Sequence, residues 1–211
     1  MRTKSIDIEG PVGRLEAVWM TPAEPALAAV LLCHAHPLHG GVMHYKLLFR
    51  VAKVFQALGF GVLRFNFRGV GLSKGTHDDG RGEQDDVRAA LDWLAHELPG
   101  RPIVSGGFSF GAVMGLRVGG RDPRVAALLA LGLPVKVLPR ARFVESIEKP
   151  KLFIQGELDA FGNAADIESL LERVPEPKEL VVIPGSDHFF AGEIEAVETA
   201  VADWAPRAIA S

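Results

Sequence analysis

Three residues of this chain have the types and the order that nucleophilic chemistry requires: Ser109, Asp159 and His188. A serine hydroxyl is a weak nucleophile until a base takes its proton, and the base needs an acid to orient it. Ser109 lies in Gly107-Phe108-Ser109-Phe110-Gly111, between an apolar run over 103–108 and a helical pattern that begins at Ala112. In such a strand-to-helix elbow the serine occupies a tight, strained turn, and the residues two before and two after it must be small because the two backbones nearly touch. Free N–H groups and the positive end of the helix dipole favour a developing oxyanion there. Carboxylate and histidine are expected downstream of the serine, in that order. Asp159 follows the apolar run 151–155, in Gly156-Glu157-Leu158-Asp159, and His188 follows 179–183, in Gly185-Ser186-Asp187-His188. His188 is the one histidine of seven beyond Ser109. Glu157 competes with Asp159 as the acid, whereas Asp187 adjoins His188, and neighbours on a loop usually point apart. A nucleotide-binding turn is the other reading of the glycines, but Gly-x-Gly-x-x-Gly and the Lys-Ser/Thr ending of a phosphate loop are absent.

These residues need a scaffold that brings three loops to one edge. Segments 3–9 and 14–20 alternate apolar and polar residues, predicting an antiparallel hairpin turned at Gly10-Pro11. After it come continuous apolar runs at 28–34, 60–66, 103–108, 125–131, 151–155 and 179–183, with helical patterns over 44–58, 82–98, 112–118, 164–174 and 193–205. Strands that are apolar throughout are covered on both faces, and strand-helix alternation implies parallel pairing with right-handed crossovers. The expected fold is a three-layer α/β sandwich: a mostly parallel sheet of about eight strands with an N-terminal antiparallel hairpin, one domain over 1–211. The 133–149 connection is too short for a cap domain, which predicts a shallow, open site.

With these residues in hand, the chain resembles the α/β-hydrolase superfamily, and within it the small capless dienelactone-hydrolase-like serine hydrolases. The resemblance runs from about Ala28 to Trp204 and includes Cys33-His34-Ala35-His36-Pro37 with Gly40-Gly41, and Asn66-Phe67-Arg68-Gly69-Val70-Gly71-Leu72-Ser73. It implies Ser109 as nucleophile, Asp159 as acid and His188 as base. It also implies an oxyanion hole made by the backbone N–H groups of Phe110 and of a residue in the 34–38 loop, His36 being the choice. Dienelactone hydrolases proper carry a cysteine at the elbow; here it is Ser109, and Cys33 belongs to another strand, so the expectation moves to serine esterase chemistry on esters or thioesters. A non-catalytic binding or regulatory protein on the same scaffold is the alternative, since fold does not secure function.

Other features bear on what surrounds the site. Leu38, Phe161 and Phe189 are the candidates for an apolar acyl pocket, although Phe161, Phe189 and Phe190 read equally well as core. Arg68 either contacts a substrate carboxylate or, the favoured reading, holds its own glycine-rich loop to a neighbouring carboxylate. His34, His36 and His39 form His-x-His-x-x-His, but the related zinc motif wants an Asp where Leu38 stands, so no metal and no cofactor are expected. His34 is expected to end a strand with its ring bonded to backbone. A net charge of −3 without a Lys/Arg block gives no footprint for nucleic acid or an anionic membrane. The expected partner is a small-molecule ester, and the protein itself a monomer or homodimer. A single cysteine, no apolar stretch of membrane-spanning length and no signal-peptide pattern lead to a cytoplasmic expectation.

Overall fold

The computed structural model describes residues 2–22, 25–137 and 141–210. The hairpin is β1 (Thr3–Gly10) and β2 (Gly13–Met20), paired antiparallel from Thr3↔Met20 to Gly10↔Gly13. The positive φ of Gly13, +112°, makes the turn. There follow β3 (Ala28–Cys33), α1 (Lys46–Ala57), β4 (Phe60–Phe65), α2 (Gly82–Glu97), β5 (Ile103–Phe108) and α3 (Phe110–Gly119). The chain continues with β6 (Val125–Leu131), β7 (Lys151–Gly156), α4 (Ala164–Leu171), β8 (Lys178–Ile183) and α5 (Ile194–Ala208). The sheet order is β1-β2-β4-β3-β5-β6-β7-β8, parallel from β4 to β8.

The continuous apolar runs have a simple cause. In β3, Ala29, Leu31 and Cys33 face a layer formed by α2, α3 and α4, while Ala28, Val30 and Leu32 face a layer formed by α1 and α5. Every residue of β3, β4, β5 and β7 is buried. A strand covered on both faces loses the polar-apolar alternation that the edge strand β1 keeps.

Order reversal at β3 positions the site. From β3 the chain steps to β4 on one side and then returns to β5 on the other, so the carboxyl ends of β3 and β5 flank a topological switch point, where open α/β sheets form their ligand crevice. Segment 132–150, between β6 and β7, contains one 3-10 turn, Ala141–Ser146, among the described residues, and no cap domain is inserted between the strands. The expected helix over 193–205 extends to Ala208 with Pro206 inside it.

Candidate active site

Ser109 joins β5 to α3 with φ 56° and ψ −118°. A non-glycine residue there costs about 1–3 kcal/mol of backbone strain, which the surrounding structure must offset. The bend is braced by Ser109 N–H donating to the Leu131 carbonyl at 2.9 Å and by Val113 N–H donating to the Ser109 carbonyl at 3.2 Å. The glycines beside it are sterically required: a Cβ at Gly107 or at Gly111 would lie 2.2 Å from the Cys33 carbonyl oxygen. With glycine at both positions, β3, β5 and α3 converge directly beneath the serine.

Loops from β7 and β8 bring the other two residues to it. His188 Nε2 is 3.0 Å from Ser109 Oγ, and His188 Nδ1 is 2.7 Å from Asp159 Oδ2. A carboxylate only accepts, so Nδ1 carries the proton and Nε2 has a free lone pair to accept the serine O–H. Asp159 is fully buried; its Oδ1 accepts from Phe161 N–H at 2.8 Å, and its Oδ2 also accepts from Gln155 Nε2 at 2.8 Å. The His188 ring packs against Phe108, Phe161 and Phe189, with centroids 5.0, 4.6 and 5.4 Å away. Gly132, at φ +56°, closes over it; a Cβ there would stand 3.3 Å from His188 Cε1.

The two competing carboxylates are committed elsewhere. Glu157 Oε2 accepts the Gly185 N–H at 2.7 Å and so ties the β7 loop to the β8 loop. Asp187 Oδ1 accepts from the N–H groups of Phe189 and Ala191, capping the turn that carries His188.

The N–H groups of His36 and Phe110 have no acceptor among the described residues, and both residues line one cavity with Ser109. The 35–41 turn that presents His36 closes through His39 N–H and Gly41 N–H, which both donate to the His36 carbonyl. Gly41 is again obligatory, with a Cβ position 2.0 Å from the Ala35 carbonyl oxygen. His34 turns into the protein: Nδ1–H donates to the Ala35 carbonyl at 2.7 Å and Nε2 accepts Phe67 N–H at 3.0 Å. Both ring nitrogens are thus used, and burial lowers its pKa to about 4. Among the described residues no group of three or more His, Cys, Asp or Glu side chains is arranged to hold a metal.

Arg68 lies against α2, its guanidinium gripping the buried Asp86 through Nε and Nη2 at 2.7–3.1 Å while its own N–H donates to Asp86 Oδ2. It braces the glycine-rich loop rather than the cavity. Cys33 is buried, and burial followed by the charge of Asp86 pushes its thiol pKa far up, so it is held as a neutral thiol.

A cavity of about 400 Å³ opens beside Ser109 and Phe110, lined also by Val113, Pro134, Val137 and Phe161 and by His36 and His39. Of the three residues expected to form an apolar pocket, Phe161 alone lines it. Leu38 is a correction: the Pro37–His39 turn aims its side chain outward, 70 % exposed, away from the lining. Phe189, 51 % exposed, packs on His188 but does not line the cavity, and Phe190 is fully buried in the α1/α5 layer. Sequence reasoning missed Val113, Pro134, Val137 and Gln155, which holds Asp159, and weighed His39 only as a metal ligand. Val113 had a readable signal, since residues i and i+4 share a helix face.

Fold and site define a hydrolase class. The family described as "Alpha/beta hydrolase domain" matches residues 27–208, and the chain belongs to it. An uncharacterised protein of Rickettsia prowazekii is 34% identical over 207 residues, covering 94% of this chain and 87% of that one. Among solved structures, an alpha-beta serine hydrolase homologue from Coxiella burnetii is similar at TM-score 0.89 and 35% identity, over 96% of this chain and 97% of that one. A serine hydrolase without lid from Xanthomonas campestris is similar at TM-score 0.89 and 29% identity, over 100% and 97%. No helix among the described residues is long and apolar enough to cross a membrane.

Proposed function

We propose that the protein hydrolyses carboxylic esters or thioesters of short to medium acyl chains through an acyl-enzyme on Ser109. One observation carries this reading: Asp159, His188 and Ser109 form an unbroken hydrogen-bonded chain, 2.7 and 3.0 Å long at its two links, at the mouth of a largely apolar cavity. His188 Nε2 takes the serine proton as Oγ attacks the carbonyl carbon, and Asp159 stabilises the imidazolium that forms. The carbonyl oxygen, now an oxyanion, accepts from the N–H groups of His36 and Phe110, each such donor being worth about 3–4 kcal/mol in the transition state. His188 then gives its proton to the leaving alcohol or thiol. Water, activated by the same histidine, attacks the acyl-serine and releases the acid.

The test is covalent labelling with a fluorophosphonate followed by mapping of the adduct. A single adduct on Ser109, lost in Ser109→Ala together with turnover of p-nitrophenyl butyrate, is the expected result. Absence of label on Ser109, or wild-type turnover in Ser109→Ala, removes the reading.

A further inference from the structure

The cavity beside Ser109 is lined by side chains of two chemical kinds. Val113, Pro134, Val137 and Phe161 supply its apolar part, and two adjacent imidazoles, His36 and His39, supply the polar part. The His36 ring lies 4.6 Å from that of His39, 4.9 Å from that of His77 and 5.1 Å from that of Phe110, centroid to centroid. Hydrogen bonding fixes its tautomer. Nδ1 accepts the Leu38 backbone N–H at 3.2 Å, and a ring nitrogen that accepts a hydrogen bond carries no proton, so the neutral ring is protonated at Nε2. No group among the described residues accepts from Nε2. An N–H donor without a partner among the described residues therefore belongs to a residue that lines the cavity beside Ser109.

The surroundings say what kind of oxygen it suits. Burial first, then the neighbouring His77 and His39, hold the His36 pKa below the ordinary imidazole value, with Glu83 and Asp79 opposing them. These surroundings favour the neutral form of the ring. Glu83, from α2, lies 2.7 Å from His77 Nδ1, and Asp79 Oδ1 lies 3.7 Å from His77 Nε2. Glu83 and the exposed Asp79 both lie close enough to act on His36, so an anion brought against this ring is repelled by them and gains no fixed cation from His36. A hydroxyl or carbonyl oxygen gains the hydrogen bond without the repulsion.

Resting on the ester-hydrolase reading above, we infer that His36 is a specificity-determining residue whose Nε2–H selects acyl groups bearing a second, uncharged oxygen a few bonds from the ester carbonyl. The acyl group is the part concerned because the leaving oxygen must face His188 Nε2 to receive its proton. Backbone N–H and Nε2–H of one histidine are about 5 Å apart by covalent geometry, so the carbonyl oxygen and an oxygen on the third acyl carbon can be held by the same residue.

The test compares p-nitrophenyl 3-hydroxybutyrate with p-nitrophenyl 3-methylbutyrate, which puts a methyl where the hydroxyl stood. A hydrogen bond of ordinary strength predicts that kcat/KM favours the hydroxy ester about three- to tenfold. His36→Phe retains the flat ring and the backbone N–H but not the donor, and brings the ratio to one, while His39→Phe leaves the ratio in place. Equal kcat/KM in the wild type, an unchanged ratio in His36→Phe, or a preference for p-nitrophenyl hemisuccinate over both esters overturns the inference. Hydrolysis of neither ester counts against the ester-hydrolase reading instead. The donor itself is then read without turnover, by ring ¹⁵N NMR of Ser109→Ala: His36 protonated at Nε2, and perturbed by methyl 3-hydroxybutyrate but not by methyl 3-methylbutyrate, supports it. Protonation at Nδ1, or equal perturbation by both methyl esters, overturns it.

Discussion

Gln155 is the residue on which stability and chemistry meet, and Gln155→Met separates its two contributions. The wild-type carboxamide is fully buried at the end of β7. Its Oε1 accepts the Leu133 N–H at 2.9 Å, while Nε2 donates to Asp159 Oδ2 at 2.8 Å and to the Gly162 carbonyl at 2.5 Å. Methionine has nearly the same length and none of these groups. Two buried backbone groups, Leu133 N–H and Gly162 C=O, lose their partner, at about 1–3 kcal/mol each, so the loss is about 4 kcal/mol in the middle of that range. For a protein of this size that lowers Tm by about 8–16 °C. Asp159 keeps its bonds to Phe161 N–H and His188 but loses the donor that fixes its second oxygen. Displacement of a catalytic group by as little as 1 Å costs about a hundredfold in rate, so kcat should fall about ten- to a hundredfold. KM should stay near wild type because Gln155 is not part of the cavity wall. The assay pairs thermal unfolding with steady-state hydrolysis of p-nitrophenyl butyrate at a temperature where the variant is fully folded. A Tm within 2 °C of wild type together with kcat within about twofold would refute the assigned role, since about 1 kcal/mol corresponds to 2–4 °C at this chain length. A raised KM at unchanged kcat would equally refute it.

Three further outcomes follow from the geometry. Gly111→Ala puts a Cβ 2.2 Å from the Cys33 carbonyl, with backbone on both sides and no flexible side chain to yield; it should cost about 3 kcal/mol in urea unfolding and cut kcat, whereas Gly185→Ala, which meets nothing within 4 Å, should cost only the strain of its positive φ. Arg68→Met leaves Asp86 buried without its cation and should destabilise by about 3–5 kcal/mol with KM unchanged; a KM rise confined to carboxylate-bearing esters would instead mark Arg68 as a substrate contact. His34 takes up a proton near 6.5 when unfolded and near 4 when folded, so the unfolded state binds more protons between those values and stability, complete above about pH 6.5, falls as pH drops through them. At pH 5 the loss is about 2 kcal/mol; urea titrations at pH 7.5 and pH 5 should show it in the wild type and not in His34→Gln, and identical pH slopes would count against it.

What could be read in the sequence was what depends on local constraint. The elbow is legible because its steric demand falls on Gly107 and Gly111, two residues either side of Ser109, and the buried strands because double coverage removes alternation. The helical pattern expected over 193–205 ends before Pro206, yet α5 continues through it to Ala208. Choices that depend on packing between distant segments were not legible. Glu157 and Asp159 share one turn and one chemistry; what separates them is that Gly185 N–H, from the β8 loop, reaches Glu157, whereas Phe161 N–H and Gln155 orient Asp159 toward His188. Leu38 has the apolar character of a pocket residue, but the turn that follows His36 carries its side chain outward. Under the proposed mechanism the same turn makes the oxyanion donor and the polar part of the cavity lining properties of one residue. Because Leu38 N–H is spent on His36 Nδ1, the ring proton sits on Nε2, and any change that breaks this short turn should alter substrate preference and oxyanion binding together.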